Sequence, residues 1–333
     1  MKPVAVDAMG GDYGPEQVVA GGLKAVREFG IPVMVAGPPD ELQKIEGIHD
    51  VEIIEAHQVI PMDAEPGISV RRMRDSSISR AAEAVRNGRA SAMVSPGNTG
   101  AVMGTAILRL GRIPGIPRPA VATRVPTYGG LPTTMLDCGA NAECKPEWLV
   151  HFARMGVIYA RDRFNIECPR VGLLSIGEEE GKGNPFVKEA YELLNDQRWT
   201  HDVHAEWVGN VEGNNIMSTD VDVVVTDGFT GNITLKVLEG TFRELIRRFA
   251  KAIDDAKTGK ATDSAVDGVV DGLTQELHPD NVGGALLLGV KGVCVISHGS
   301  SSSEAIMNAI VFAHEMATAG MIGHLSGIGR TSK

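Results

Sequence analysis

Val221-Asp222-Val223-Val224-Val225-Thr226-Asp227-Gly228-Phe229-Thr230-Gly231-Asn232 sets the class of fold. A β-branched run breaks into Asp-Gly-Phe-Thr-Gly-Asn and then into apolar residues at helical spacing, so a strand delivers polar groups to the start of a helix. In open α/β sheets the carboxyl ends of strands border the ligand crevice, and the free amides of a helix N-terminus favour an anion. The segment therefore points to chemistry on a phosphate or an oxyanion.

Downstream, Leu235, Leu238, Phe242, Leu245, Phe249 and Ile253 recur at steps of three and four, which predicts one long amphipathic helix. Ala265, Val266, Val269, Val270, Leu273 and Leu277 form a second stripe with nothing strand-like between. The two read as a helical hairpin over 231–280 that projects from the sheet and needs a partner surface, expected to be a second subunit.

Upstream, strand-like and helix-like segments alternate: Val4 to Val6, a helix near Glu16 to Glu28, Pro32 to Ala36, a helix near Asp40 to Ile45, and Val51 to Ala56. A longer loop with Pro61, Pro66 and Gly67 precedes a helix beginning near Asp75-Ser76-Ser77. Ala92 to Ser95, a helix to Leu110 and strands near Ala120 to Arg124 and Thr133 to Asp137 follow. Then come a helix near Glu147 to Tyr159, a strand at Val171 to Ser175, a helix after Asn184 and a strand near Val203 to Val208. Such βαβα order predicts a three-layer α/β/α unit, single and compact over residues 1–333, with a mainly parallel sheet covered on both faces.

Aromatic residues are only 5% while glycines number 40, which suits many tight strand-to-helix turns. The net charge of −10 excludes a protein that holds nucleic acid by general electrostatics. Cys138, Cys144, Cys168 and Cys294 lack C-x-x-C spacing and read as reduced thiols, with no metal site. No signal-like or membrane-spanning apolar run occurs, so a cytoplasmic protein is expected.

Five loops follow predicted strands with one flavour: Asp7-Ala8-Met9-Gly10-Gly11-Asp12, Ser95-Pro96-Gly97-Asn98-Thr99-Gly100, Asp137-Cys138-Gly139-Ala140-Asn141, Ile176-Gly177 to Asn184, and Asp227 to Asn232. One such loop is an ordinary capped turn. Five gathered at one sheet edge would form a crevice. Gly181-Lys182-Gly183 is no Walker A loop, because its spacing is short and Glu178, Glu179 and Glu180 would repel a triphosphate. Lys182 is either a point charge for phosphate or oxyanion, or a solvated loop lysine. After Val293 to Ile296, the loop Ser297-His298-Gly299-Ser300-Ser301-Ser302 offers hydroxyls and amides for phosphate, and His298 is a proton shuttle or a cap. Arg71, Arg72 and Arg74, and Arg243, Arg247 and Lys251, are basic groups that either dock an acidic protein or form solvated faces.

In order along almost the whole chain, Ala5-Val6-Asp7-Ala8-Met9-Gly10-Gly11-Asp12, Gly97-Asn98-Thr99-Gly100-Ala101, Gly139-Ala140-Asn141, Lys145-Pro146-Glu147, Lys182-Gly183-Asn184, Thr226 to Asn232 and His298-Gly299-Ser300-Ser301 resemble the phosphate acyltransferase family of bacterial phospholipid synthesis, PlsX. The resemblance implies a Rossmann-like fold, no cofactor, and transfer of an acyl chain from acyl carrier protein to inorganic phosphate. The acyl phosphate product would pass to a glycerol-3-phosphate acyltransferase. A homodimer and peripheral contact with the inner face of the cell membrane are also implied. The second predicted helix carries Asp263, Asp267, Asp271 and Glu276, which anionic lipid would repel.

On this reading Lys182 and Asn232 are catalytic. Asp7, Gly10, Gly11, Asn98, Thr99, Gly100, Asp137, Asn141, Asn184, Asp227, Thr230, Gly231, His298, Gly299 and Ser300 complete the phosphate and substrate cradle. The rival enzyme is a phosphotransacetylase acting on acyl-coenzyme A. The rival of another class is a non-catalytic scaffold for lipid-synthesis enzymes.

Overall fold

The computed structural model describes residues 1–196, 198–257 and 283–328. Among these, eleven strands form one sheet: β1 Val4–Asp7, β2 Val33–Gly37, β3 Glu52–Glu55, β4 Ala92–Ser95, β5 Ala120–Val125, β6 Thr133–Leu136, β7 Arg170–Ser175, β8 Glu206–Glu212, β9 Val223–Val225, β10 Ala285–Leu288 and β11 Val293–Ile296. Their order is β3-β2-β1-β4-β11-β10-β5-β6-β9-β7-β8.

The period of two along each strand sorts side chains onto two faces. Val223 and Val225, Leu286 and Leu288, and Val293 and Val295 enter one apolar cluster, while Val224, Leu287 and Cys294 enter another. Over the first face lie helices Gly14–Phe29, Pro146–Phe164 and Ser303–Thr318, which contribute Leu23, Phe152 and Ile310. The second face carries Pro66–Arg72, Ser77–Arg86 and Thr99–Thr105 through Val70, Ile78 and Val102. Leu235 and Leu238 of helix Gly228–Lys257 pack on this same cluster. These are the expected three layers.

Seven neighbouring pairs are parallel. Three antiparallel pairings, β11 with β10, β10 with β5, and β5 with β6, divide the sheet into two parallel halves. Three reversals are an odd number. The carboxyl ends of β1, β4 and β11 therefore leave one edge, and those of β6, β9 and β7 leave the opposite edge. This corrects the expectation that all five polar loops share one edge.

Local differences have local causes. Val203 closes a short helix, Arg198–Val203, because His204 turns left-handed at φ 53°, and the strand begins only at Glu206. Pro66–Arg72, expected as loop, is helical, with Pro66 in the first turn, where its missing N–H costs no helical hydrogen bond. The first arm of the expected hairpin is the 30-residue helix Gly228–Lys257, along which Leu245 and Phe249 are exposed. The second arm lies outside the described residues.

Candidate active site

At the edge where β6 and β9 end, Asp227 opens the long helix. Its Oδ1 accepts from the amides of Phe229 and Thr230, both at 2.9 Å, and its Oδ2 accepts from Thr230 Oγ1 at 2.7 Å. This is N-capping by a carboxylate. Beside it, Asp137 is fully buried and accepts five hydrogen bonds. Oδ1 takes the amides of Val121, Gly139 and Ala140 at 3.0, 3.1 and 2.8 Å. Oδ2 takes the Asn141 amide and Asn141 Nδ2, both at 2.8 Å. Burial pushes the Asp137 carboxyl above its ordinary value, and the hydrogen bonds from Ala140, Val121 and Asn141 pull against that shift.

The carboxylate thus ties the 137–141 loop into one unit, and the Gly228 amide donates to Asn141 O at 3.0 Å, fixing that unit to the helix. Gly139 packs against Asn232, where an added β-carbon would lie 3.5 Å from the Asn232 side chain. Asn232 is exposed, and its amide carries no hydrogen bond among the described residues. It is the polar side chain that this scaffold presents outward.

Lys182 lies in the loop after β7, half exposed, with Nζ 3.9 Å from Glu179 Oε2. Its own amide donates to Glu179 O at 3.0 Å, and Asn210 Nδ2 holds the same carbonyl at 2.9 Å, so the loop is pinned to β8. Asn184 caps the next helix by accepting from the Val187 amide at 2.9 Å. Its acceptor is thereby engaged.

At the other edge a second cluster forms where β1, β4 and β11 end. Asp7 is buried, and Ser95 Oγ donates to its Oδ2 at 2.7 Å. Desolvation again raises this carboxyl, against hydrogen bonds from Ser77, Ser95, Met9 and Gly10. A β-carbon on Gly10 would lie 2.6 Å from the Gly97 nitrogen, so the two loops touch through backbone. The Asp12 amide donates to Gly299 O at 2.7 Å, bringing in the third loop beside Gly11. Asn98 caps helix Thr99–Thr105 through Oδ1 to the Ala101 amide at 3.0 Å, while its Nδ2 donates to Met62 O at 2.6 Å. Gly100 backs onto Pro66, and His298 Nδ1 lies 2.8 Å from Ser300 Oγ at an exposed turn.

The named residues therefore separate into two clusters and into two roles. Asp7, Asp137 and Asn141 are buried and hydrogen-bonded to protein partners in their own and neighbouring segments, and Asn98 and Asp227 cap helices. Gly231 is buried against Asp137 O, while Gly10, Gly11 and Gly299 allow close backbone approach. Lys182, Thr99, Thr230, Asn232, His298 and Ser300 are exposed. Sequence reasoning missed Pro119, whose carbonyl accepts from Asn141 Nδ2 at 2.8 Å, and Met62 over Gly299. Neither residue type carries a motif signal. Among the described residues no group of His, Cys, Asp or Glu is placed to hold a metal ion, and no single helix is long and apolar enough to cross a membrane.

The model of a family described as fatty acid synthesis protein matches residues 2–324. A phosphate acyltransferase of Leptospira biflexa is 42% identical over 314 residues, covering 92% of this chain and 91% of the relative. The chain belongs to the phosphate acyltransferase family. Another such enzyme, of Acaryochloris marina, is 42% identical over 319 residues, covering 94% and 91% of the two chains. The chain shares its fold with solved phosphotransacylases. The EutD phosphotransacetylase of Staphylococcus aureus superposes at TM-score 0.60 and 15% identity, covering 95% of this chain and 94% of that one. A branched-chain phosphotransacylase of Enterococcus faecalis superposes at 0.60 and 16%, covering 95% and 99%.

Proposed function

We propose that this phosphate acyltransferase moves a fatty acyl group from acyl carrier protein to inorganic phosphate, with Lys182 and Asn232 as its catalytic residues. The observation that carries the residue assignment is the exposed Asn232 amide, one turn into a capped helix and backed by the rigid 137–141 loop. Family membership supplies the reaction class.

A phosphate oxygen attacks the thioester carbonyl carbon, the carbonyl oxygen gains negative charge, and the C–S bond then breaks to release the carrier thiol. A carbon–oxygen bond to phosphate replaces the carbon–sulfur bond. The Asn232 side-chain N–H donates to the developing oxyanion, and the Lys182 ammonium holds the phosphate against that carbonyl. Docking of the donor strips water from the half-exposed Lys182 and strengthens its pull on the anion. Phosphate is itself the nucleophile, so no acyl-enzyme is needed.

The test is phosphate-dependent release of free carrier protein from acyl carrier protein, with acyl-coenzyme A in a parallel reaction. Folded Lys182→Ala and Asn232→Ala variants should each lose about 100-fold or more in turnover, the scale of one oxyanion-hole donor. Parental rates in both would sink the assignment. Preference for acyl-coenzyme A would move the donor to the phosphotransacetylase reading. The same proposal places the enzyme in the cytoplasm as a homodimer joined through helix Gly228–Lys257, whose Leu245 and Phe249 are exposed. Peripheral membrane contact belongs to it too, and recovery of the purified protein outside the lipid fraction in vesicle flotation would count against that part.

A further inference from the structure

Helix Pro66–Arg72 roofs the loop cluster at the β4 edge. Pro66 packs on Gly100, Val70 on Gly104, and Met62 covers Gly299, while Asn98 Nδ2 holds Met62 O at 2.6 Å. Val70 is buried beneath the helix, whereas Ile68, Arg71 and Arg72 are exposed. Residues three and four apart share a helix face, so Arg71 and Arg72 flank Ile68, and exposed Arg74 extends the patch beyond the last turn.

These three arginines are neighbours in sequence and free of carboxylate partners among the described residues, whereas many surface arginines are paired. In a chain of net charge −10, Arg27, Arg80, Arg89 and Arg170 each pair with a carboxylate. On the long helix, Arg247 and Arg248 share Glu244 at 3.0 and 2.7 Å. Arg71, Arg72 and Arg74 carry no ion pair among the described residues. Asp75 is already held by Arg80 at 2.7 Å. Asp63 and Glu65 lie at the opposite end of the helix, where negative charge suits the dipole.

An exposed aliphatic residue with three unpaired arginines on its C-terminal side fits an acidic helix that carries an apolar side chain. We propose that this face docks the acidic carrier protein that bears the acyl thioester, so that the thioester arm enters over Met62 and the Asn98 and Gly299 loops. The proposal rests on the acyl-transfer reading above and names the surface that its donor uses. Helices Thr99–Thr105 and Gly228–Lys257 pack on the same apolar cluster, over one face of the sheet.

The test compares the parent with the Arg71→Glu/Arg72→Glu/Arg74→Glu variant in four measurements. They are binding of labelled acyl carrier protein at low and moderate salt, KM for carrier and for phosphate, turnover of acyl-pantetheine, and flotation with phosphatidylglycerol vesicles. Charge reversal should weaken carrier binding and raise carrier KM about tenfold or more and should abolish the salt dependence. Phosphate KM and acyl-pantetheine turnover should stay parental.

Carrier binding unchanged in the variant, or absent in the parent, overturns the proposal. So does a fall in acyl-pantetheine turnover equal to the fall with carrier, or a loss of vesicle binding in place of carrier binding. If the triple variant does not fold, Arg72→Ala and Arg74→Ala singly should each weaken carrier binding, and parental binding in both overturns the proposal. If the parent binds carrier through this face yet transfers no acyl group to phosphate, the docking surface stands and the proposed reaction fails.

Discussion

Gly231 meets the main-chain carbonyl of Asp137 so closely that a β-carbon at position 231 would lie 1.9 Å from that oxygen. Gly231 is helical, so alanine would gain about 1 kcal/mol of helix propensity there. Steric overlap with immobile backbone outweighs that gain. Relief requires the helix start to move by roughly 1 Å, a displacement that costs about 100-fold in rate when it carries a catalytic group. Gly231→Ala should therefore lose stability by about 1–3 kcal/mol and lose turnover more steeply than Gly240→Ala, whose added methyl meets nothing within 4 Å. Thermal unfolding and steady-state rates of the two variants provide the check.

Asp137 itself predicts a pH signature. Its folded-state carboxyl is raised by burial, so its contribution to stability is fully present below the unfolded value and is lost as pH rises through the folded value. Asp137→Asn cannot titrate, and it turns an amide toward the N–H groups of Asn141. Leaving those donors unsatisfied should cost about 1–3 kcal/mol. The parent's advantage over Asp137→Asn in urea unfolding should shrink over the pH interval from the ordinary carboxylate value of about 4 up through the raised folded value. An advantage that grows over that interval would show that the five donors win over desolvation.

The cysteines predict a chemical result. Cys144 adjoins the 137–141 loop, its Sγ 3.6 Å from Asn141 O, and burial pushes its thiol up to about 11. Burial likewise pushes Cys294 up to about 12 and raises Cys138 well above the ordinary range. At neutral pH these thiols are protonated and poor nucleophiles. Maleimide should label exposed Cys168 alone, as read by mass spectrometry of peptides, and Cys144→Ala should keep its acyl-transfer rate. An acyl adduct trapped on Cys144 would contradict direct attack by phosphate.

The parts of the site legible in sequence were those written locally. Val223 to Val225 read as a buried strand, and Asp227 to Asn232 as its passage into a helix start, because both signals lie within a few residues. The division of the five loops between two edges was not legible. It depends on β6 running against β5, because the two reversals at β10 cancel, and neither Ala120–Val125 nor Thr133–Leu136 carries a mark of its direction. Asp137 and Asn141 read as ligands because polar residues after a strand usually face the crevice, and only the fold brings Val121 and Pro119 to engage them. Pro66-Gly67 hid the helix that carries Arg71, since turn residues and first-turn residues look alike.

Asn98 joins two functions in one side chain, capping helix Thr99–Thr105 through Oδ1 and holding Met62 O through Nδ2. Substitution can separate them. Asn98→Asp keeps an acceptor for the Ala101 amide and adds charge favourable to the helix dipole, but it has no N–H for Met62. Asn98→Ala loses both, with the cap alone worth about 1 kcal/mol. The Ala101 amide should therefore exchange with solvent at near-parental rate in Asn98→Asp and about fivefold faster in Asn98→Ala, the factor that 1 kcal/mol sets. Met62 should loosen in both, since the tie to its carbonyl is gone. If Ala101 exchanges equally fast in the two variants, the side chain acts mainly through Met62, and the helix start is held by its packing on Pro66 and Val70.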